Sequence, residues 1–352
     1  MLTKKKALQY LATFIAIWMF LLILITYLFD PFHLYHEPYF GLKPVLYERE
    51  TQVPGSIRTF SYDSVLLGTS MIENCDTDFL NETFDCNTLK ITKGSGSIAD
   101  LQYYLEMAHG EQNLKNVFWG IDWGSCFVST EVTVVSEYSP SYLFTDTILD
   151  DFTYFFNKDI LLKKIPLMIA YSLADQYTGG QAYYWADDKD FGTSYAMRAY
   201  EKPAQAASSS LSETHIGLVQ DNIDIMVQEI TSHPDTNYYL MFPPYSLLMW
   251  DNVYTSGNED LYFYMLNEVL DALVPLENAK VYFFQADREI VCNLNLYMDM
   301  VHYTPDINQL MLTSLTNDKY LVTEENLEAV KQDMKETYEH IISEEIYKYY
   351  AR

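Results

Sequence analysis

The chain has 352 residues, of which 49% are hydrophobic, so it can bury a full core and is neither disordered nor fibrous. Its 49 acidic residues far outnumber its 22 basic ones. This balance excludes nucleic acid as a partner, because contacts with phosphates need a basic face.

The first predicted element is an apolar helix. Three lysines at 4–6 precede an uncharged, mostly apolar run over 10–29, and roughly 20 such residues cross a bilayer. The lysines before the run and Asp30 after it favour a cytoplasmic N-terminus with the rest of the chain outside. The run is longer than a signal-peptide core and no A-x-A-like site follows, which favours an anchor over a cleaved signal peptide. We expect a single-pass cell-membrane protein in which residues 1–30 form a short cytoplasmic segment followed by the transmembrane signal anchor.

The four cysteines would then lie in an oxidising compartment. No C-x-x-C or Cys/His ligand spacing is present, so disulfides are favoured over zinc, and we expect neither a metal nor a cofactor. Cys75 and Cys86 are close in the sequence, and a bridge between them would contribute about 2–3 kcal/mol. For Cys126 and Cys292, a bridge and two buried thiols remain equally open.

Residues 31–60, rich in proline and aromatic residues, are predicted as an irregular lead-in. The globular part, 61–352, then alternates apolar runs with stretches of helical periodicity. This alternation indicates a parallel sheet covered on both faces, a three-layer α/β domain. The predicted strands lie in 63–70, 87–93, 116–123, 237–246 and 279–287. The predicted helices lie around 98–109, 211–232, 258–274 and 324–349.

A long stretch, 127–236, separates the third predicted strand from the fourth. It contains a helical part, a part rich in tyrosine and glycine, and a part rich in alanine and serine. We interpret it as an insertion over one edge of the sheet, where substrate-specific surfaces tend to lie. Trp185 and its tyrosine neighbours, in "QAYYWADD", are interpreted as packing residues, with stacking on sugar rings as the alternative.

Two short motifs carry the predicted chemistry. Ser70, in "LLGTSMIEN", follows the first predicted strand and starts the next helix, whose N–H groups would receive a developing negative charge. Asp299 and His302, in "YMDMVH", have a spacing that lets the carboxylate hold one imidazole nitrogen while the other faces a serine. The alternatives are a surface histidine and a helix cap, because Ser70 and Glu73 form an S-x-x-E capping box.

This combination resembles the SGNH (GDSL-like) hydrolase superfamily. The resemblance implies a flavodoxin-like fold with Ser70 as nucleophile, His302 as base and Asp299 as its orienting partner. The anchor, the "DPF" after it and the late "YMDMVH" are similar to membrane-anchored members that work beside membrane-bound O-acyltransferases. Those members include the teichoic-acid D-alanylation and alginate O-acetylation proteins. The likeness covers 1–126 and 237–312 in outline.

The resemblance also implies an oxyanion hole. The superfamily builds this hole from the serine, a glycine after strand two and an asparagine after strand three. The corresponding residues here are Ser70, Gly96 and, in place of the asparagine, Asp122. An ionised aspartate would repel an oxyanion instead of donating to it. Asp122 is therefore protonated, or points elsewhere, or the hole is built from backbone donors alone.

We thus expect a membrane-anchored extracytoplasmic serine O-acyltransferase that forms an acyl-enzyme and acts on a cell-surface polysaccharide, other glycan or teichoic acid. The expected partners are a membrane-bound O-acyltransferase and, through 10–29, the lipid bilayer. One alternative is a carbohydrate esterase, a deacetylase of the same fold. Another is a non-catalytic interaction module that holds a membrane-bound O-acyltransferase against its glycan. Asp122 favours this non-catalytic module, whereas the complete Ser/Asp/His set argues against it.

Overall fold

The structure, a computed structural model, describes residues 3–145, 147–204 and 211–350. It divides into two compact units, one of Met1–Phe60 with Val135–Ala182 and the other of Ser61–Val134 with Tyr183–Arg352. The stretch interpreted as one insertion is therefore shared between the units. Part of its Ala/Ser-rich segment, at 205–210, lies outside the described residues.

Six strands in the second unit form one mixed sheet. They are β1 (Ser64–Gly68), β2 (Thr88–Thr92), β3 (Asn116–Gly120), β4 (Asn237–Phe242), β5 (Ala279–Phe283) and β6 (Leu321–Val322). The order is β2-β1-β3-β4-β5-β6, with β1 to β5 parallel and β6 antiparallel to β5. The prediction of a largely parallel α/β sheet is confirmed, and each predicted strand is present. The two-residue β6 was not predicted, because it is too short to carry a pattern.

The α-helices of the described chain are, in order, α1 (Lys4–Phe29), α2 (Arg49–Thr59), α3 (Thr77–Phe84), α4 (Ile98–Glu111), α5 (Phe152–Phe155), α6 (Ile165–Ala174), α7 (Thr193–Ala199), α8 (Glu213–Ser232), α9 (Leu247–Thr255), α10 (Glu259–Leu273), α11 (Arg288–Val291), α12 (Pro305–Asn317), α13 (Leu327–His340) and α14 (Tyr347–Tyr350). The four helices predicted between strands or at the C-terminus correspond to α4, α8, α10 and α13 with α14. The last pair is separated by a π-helical turn, Ile341–Glu345.

The first unit is built around the end of α1. This helix is long and apolar enough to cross a membrane. Asp30 ends it in a left-handed conformation and accepts a hydrogen bond of 2.6 Å from the buried Tyr154 hydroxyl. The segment predicted as an irregular lead-in contains α2, with Pro54 inside it. Its proline-rich composition concealed this helix.

The strand order determines where a site can form. The chain goes from β1 to β2 on one side, then returns to place β3 on the other side of β1. In such sheets a crevice opens at the carboxyl ends of the two strands that flank this reversal. The segments that follow β1 and β3 contain Ser70 and Asp122, respectively.

Two glycines let these strand ends approach a shared side chain. A Cβ atom on Gly68 would lie 2.7 Å from Ile72 Cγ1, and one on Gly120 would lie 2.2 Å from Ile72 Cγ2. The fully buried Ile72 therefore packs directly against both backbones. Its position in the turn after β1 also fixes the neighbouring Ser70.

We predict that Gly120→Ala displaces Ile72 and lowers the free energy of unfolding by about 1–3 kcal/mol, the usual effect of overpacking. The matched control is Gly110→Ala in α4, where an added Cβ meets no atom within 4 Å and the helix should gain stability. Thermal and denaturant unfolding of the detergent-solubilised chain measure both effects. Equal stability of the two variants would show that the close approach at Ile72 does not matter.

Candidate active site

Ser70 lies on a turn and not at the start of a helix. The N–H of Ile72 donates to the Thr69 carbonyl (3.1 Å), and the N–H of Cys75 donates to the Ile72 carbonyl (3.0 Å). Helix α3 begins only at Thr77, where the Asp76 side chain caps it. The predicted helix start and the Ser70/Glu73 capping box are therefore wrong, because Asp76 supplies the cap six residues downstream. Ser70 is left with no capping role.

The structure brings together the three residues predicted as a triad. Ser70 Oγ lies 2.9 Å from His302 Nε2, across 232 residues of sequence. His302 Nδ1 lies 2.7 Å from Asp299 Oδ2. Because a carboxylate accepts the proton on Nδ1, Nε2 is left as the acceptor for the serine hydroxyl. Side-chain exposures of 25% for His302 and 26% for Asp299 leave this arrangement accessible from solvent.

Asp299 is held as a charged acceptor. Its Oδ1 accepts hydrogen bonds from the main-chain N–H groups of Val301 (2.9 Å) and His302 (2.8 Å). Burial alone would raise the pKa of Asp299, but the hydrogen bonds and the charge of His302 outweigh it and lower the pKa. The carboxylate is therefore ionised at neutral pH and orients the imidazole.

The two tyrosines that flank the D-x-x-H motif fix its loop. Tyr297 and Tyr303 are both buried and pair with each other as an isolated antiparallel bridge. The Tyr303 hydroxyl donates to the Met71 carbonyl (2.9 Å), and the Asn308 amide donates to the same oxygen (2.8 Å). Met71 directly follows Ser70. These contacts therefore tie the histidine loop to the serine turn.

Trp185 lies beside the triad, a role that the sequence did not show. Its indole N–H donates to the Ser70 carbonyl (3.3 Å), and its ring packs against the His302 ring at 5.6 Å with an interplanar angle of 89°. The main-chain N–H groups of Trp185 and Ala186 donate to Asn74 Oδ1 (3.1 and 3.2 Å). Trp185 is partly exposed and borders Ser70 and His302 on one side.

The predicted glycine of the oxyanion hole is engaged elsewhere. The N–H of Gly96 donates to the Lys93 carbonyl (3.1 Å), and the Gly96 carbonyl accepts from the Ser125 hydroxyl (3.0 Å). Ser95, with a φ of 51°, makes the tight turn that directs this N–H toward the Lys93 carbonyl. The geometry therefore argues against Gly96 as an oxyanion donor. By contrast, the N–H of Ser70 donates to no other residue in the described part of the chain.

Asp122 lies close to the triad. Its carboxylate accepts hydrogen bonds from the Thr69 hydroxyl (3.4 Å) and from the N–H of Gly124. Burial raises the pKa of Asp122 to about 6, against the opposing effects of the Gly124 hydrogen bond and the charge of His302. Asp122 therefore takes up a proton just below neutral pH.

The predicted bridge between Cys75 and Cys86 is wrong, because all four cysteines are free. The segment between the pair forms the eight-residue helix α3, which spans about 12 Å. Cysteines in a disulfide have Cα atoms only about 4.4–6.8 Å apart. The Cys75 thiol instead contacts the Asn308 amide at 3.3 Å. Cys126 and Cys292, whose pairing could not be decided from the sequence, are also free thiols.

Comparisons with known proteins give little support to any identification. No family model matches the chain, and no curated protein matches it. A solved structure from Streptococcus pneumonia named for platelet activating factor is similar, with 10% identity and a TM-score of 0.40. The match covers 77% of this chain and 90% of that chain. A likeness at this TM-score does not define a fold or a function for this chain.

The raised pKa of Asp122 predicts a pH-dependent effect on stability. A carboxyl group with a raised folded-state pKa binds more protons folded than unfolded, so its contribution is lost as pH rises from about 4 to about 6. Asp122→Asn removes the buried charge and should raise the free energy of unfolding by about 1–2 kcal/mol at pH 7, with a smaller gain at pH 4. Urea unfolding at the two pH values measures this gain in the free energy of unfolding. An equal gain at pH 4 and pH 7 would show that Asp122 does not carry a buried charge at pH 7.

Proposed function

We propose that this protein is an extracytoplasmic serine O-acyltransferase that acts on a cell-surface polysaccharide or teichoic acid. The observation that carries the proposal is the unbroken line of hydrogen bonds from Asp299 through His302 to Ser70. A serine hydroxyl becomes a nucleophile when a base takes its proton and a third group holds that base. Each of these roles has a side chain within hydrogen-bond distance.

The chemistry follows from these positions. As Ser70 Oγ attacks the acyl carbonyl carbon, its proton passes to His302 Nε2, and Asp299 stabilises the resulting imidazolium. The tetrahedral intermediate collapses, the leaving oxygen takes the proton from His302, and the acyl group remains as an ester of Ser70. An acceptor hydroxyl then attacks this ester and gives its proton to His302, which returns it to Ser70 Oγ as the acyl group leaves. The Ser70 N–H is the oxyanion donor that the geometry supports.

We further propose that the second unit has the three-layer, flavodoxin-like arrangement of SGNH hydrolases. The strand order β2-β1-β3-β4-β5 is the flavodoxin-like order, which supports this proposal. The positions of Ser70 after β1 and of the D-x-x-H motif after β5 also support it, since the sequence resemblance implies a nucleophile and a base at these points. Strands β1 to β3 are buried along their whole length, as in parallel sheets with both faces covered.

The proposed location is the outer face of a cell membrane, with α1 as the anchor and the N-terminus inside. Its support is the composition of α1 and the lysines that begin it. A membrane-bound O-acyltransferase that supplies the acyl group is the proposed partner. Activity of a cytoplasm-only reporter fused at the C-terminus would contradict this topology.

Asp122 gives weight to one alternative, the non-catalytic module. Above pH 6 its carboxylate is mostly ionised, beside the place where negative charge would develop on the substrate. A carbohydrate esterase differs only in the acceptor, which would be water. Reactivity of Ser70 would distinguish both enzymes from the non-catalytic module. Transfer of a labelled acyl group to added glycan would distinguish the acyltransferase from the esterase.

The main test uses a serine-reactive fluorophosphonate probe on the full chain in detergent. We expect labelling at Ser70 that falls by at least about 100-fold in His302→Ala and less completely in Asp299→Asn, because the imidazole retains some function without its orienting group. Asp122→Asn should increase labelling at pH 7–8, since it removes the opposing charge. The matched control is His340→Ala, a histidine of α13 that pairs with Glu345 and should label as wild type does.

Two outcomes would count against the proposal. Equal labelling of the wild type and His302→Ala would reject the triad. A folded wild type that stays unlabelled between pH 5 and 8, together with Asp122→Asn that also stays unlabelled, would favour the non-catalytic module.

A further inference from the structure

We propose that His109, Glu229 and His233 form a binding site for a divalent transition-metal ion, for which zinc best fits the donors. His109 lies on α4, Glu229 lies on α8, and His233 ends that helix. Their donor atoms all lie within 4.8 Å of one another. Two imidazoles and one carboxylate are a common zinc ligand set, with water in the fourth position.

The distances match donors that share one ion. His109 Nε2 is 3.3 Å and His233 Nδ1 is 3.2 Å from the same oxygen, Glu229 Oε1. In a tetrahedral zinc site with bonds of about 2.0–2.1 Å, neighbouring donors lie about 3.3–3.4 Å apart. The two measured separations are therefore close to edges of such a tetrahedron.

Glu229 is a buried carboxyl group that no permanently charged side chain pairs with. Its side chain is only 2% exposed, and among the described residues its ion pairs are with the two histidines alone. No lysine or arginine in the described part of the chain pairs with it. A buried carboxylate needs a compensating charge, which a metal ion bound between these donors would supply.

The surroundings supply orientation and access. The Tyr238 hydroxyl, at the start of β4, donates to Glu229 Oε1 at 3.0 Å and fixes the carboxylate. Such outer contacts hold metal ligands in position. The His233 side chain is 30% exposed, whereas that of His109 is 10% exposed, so an ion can enter from the His233 side.

Binding requires a small movement of the rings. The two imidazoles stack at 3.6 Å with an interplanar angle of 5°, so one ion cannot lie in both ring planes. Each ring must turn about its Cβ–Cγ bond toward Glu229. For His233 this turn gives up a contact of 2.9 Å between Nδ1 and the Glu229 carbonyl, which water can replace at the helix end.

The position of the cluster indicates a structural role. Tyr238 lies at the amino end of β4, whereas Ser70 follows the carboxyl end of β1, a parallel strand of the same sheet. The two sites therefore lie toward opposite ends of the strands. An ion at the cluster would cross-link α4 to α8 and stabilise the fold without touching the substrate.

Zinc alone is the probe. The untagged full chain, purified in detergent and treated with a chelator, should bind one zinc ion, and its Tm should rise by at least about 3 °C at saturation. Cobalt should give visible absorption bands of a tetrahedral site. Glu229→Gln and His233→Asn should abolish both responses, while His340→Ala, a variant at another His/Glu pair, should keep them.

His233→Asn changes the most exposed ligand, so it serves if Glu229→Gln fails to fold. A wild type with no zinc response would overturn the proposal and leave the cluster as a hydrogen-bond network. Equal responses of the wild type and both ligand variants would also overturn it, since zinc would then bind elsewhere.

Discussion

The hydrogen bond from the buried Tyr303 hydroxyl to the Met71 carbonyl holds the two halves of the candidate site together. It joins the loop of His302 to the turn of Ser70, and these two residues are 232 positions apart in the sequence. The same carbonyl accepts the Asn308 amide of α12, so the turn is held from two directions. On its other side, Ile72 packs against the backbones of Gly68 and Gly120. The distance of 2.9 Å between serine and histidine depends on these supports.

Much of this arrangement could be predicted from the sequence, because its signals are local. Runs of buried apolar residues predicted β1 to β5, and the order of Ser70, Asp299 and His302 predicted a set that the fold brings together. Two other local signals were overlooked, since the Asp76 side chain caps α3 at the N–H of Asp78 and α3 itself separates Cys75 from Cys86. The role of Trp185 beside His302 arises only from tertiary folding.

The cluster of His109, Glu229 and His233 shows the same limit. Glu229 and His233 are four residues apart, a spacing that places both on one helix face and is visible in the sequence. His109 lies far from them along the chain and joins them only because α4 packs beside α8. The sequence therefore showed two donors at most, which is too few to predict a metal site.

Asp122 connects the electrostatics of the site to its function. Burial raises the pKa of its carboxylate to about 6, so mild acid neutralises it. In the proposed mechanism, the neutral form would oppose a developing negative charge less than the ionised carboxylate does.

If His302 activates Ser70 for acyl transfer, as proposed, an acyl group should become attached to Ser70 and can be trapped there. The full chain is incubated with p-nitrophenyl acetate near pH 7, quenched with acid and digested, and its peptides are weighed. We expect one acetyl group on the peptide that contains Ser70, absent in Ser70→Ala and strongly reduced in His302→Ala. Acetylation of Ser70 to the same extent in the wild type and His302→Ala, or none at Ser70 in the wild type, would rule out this role of His302.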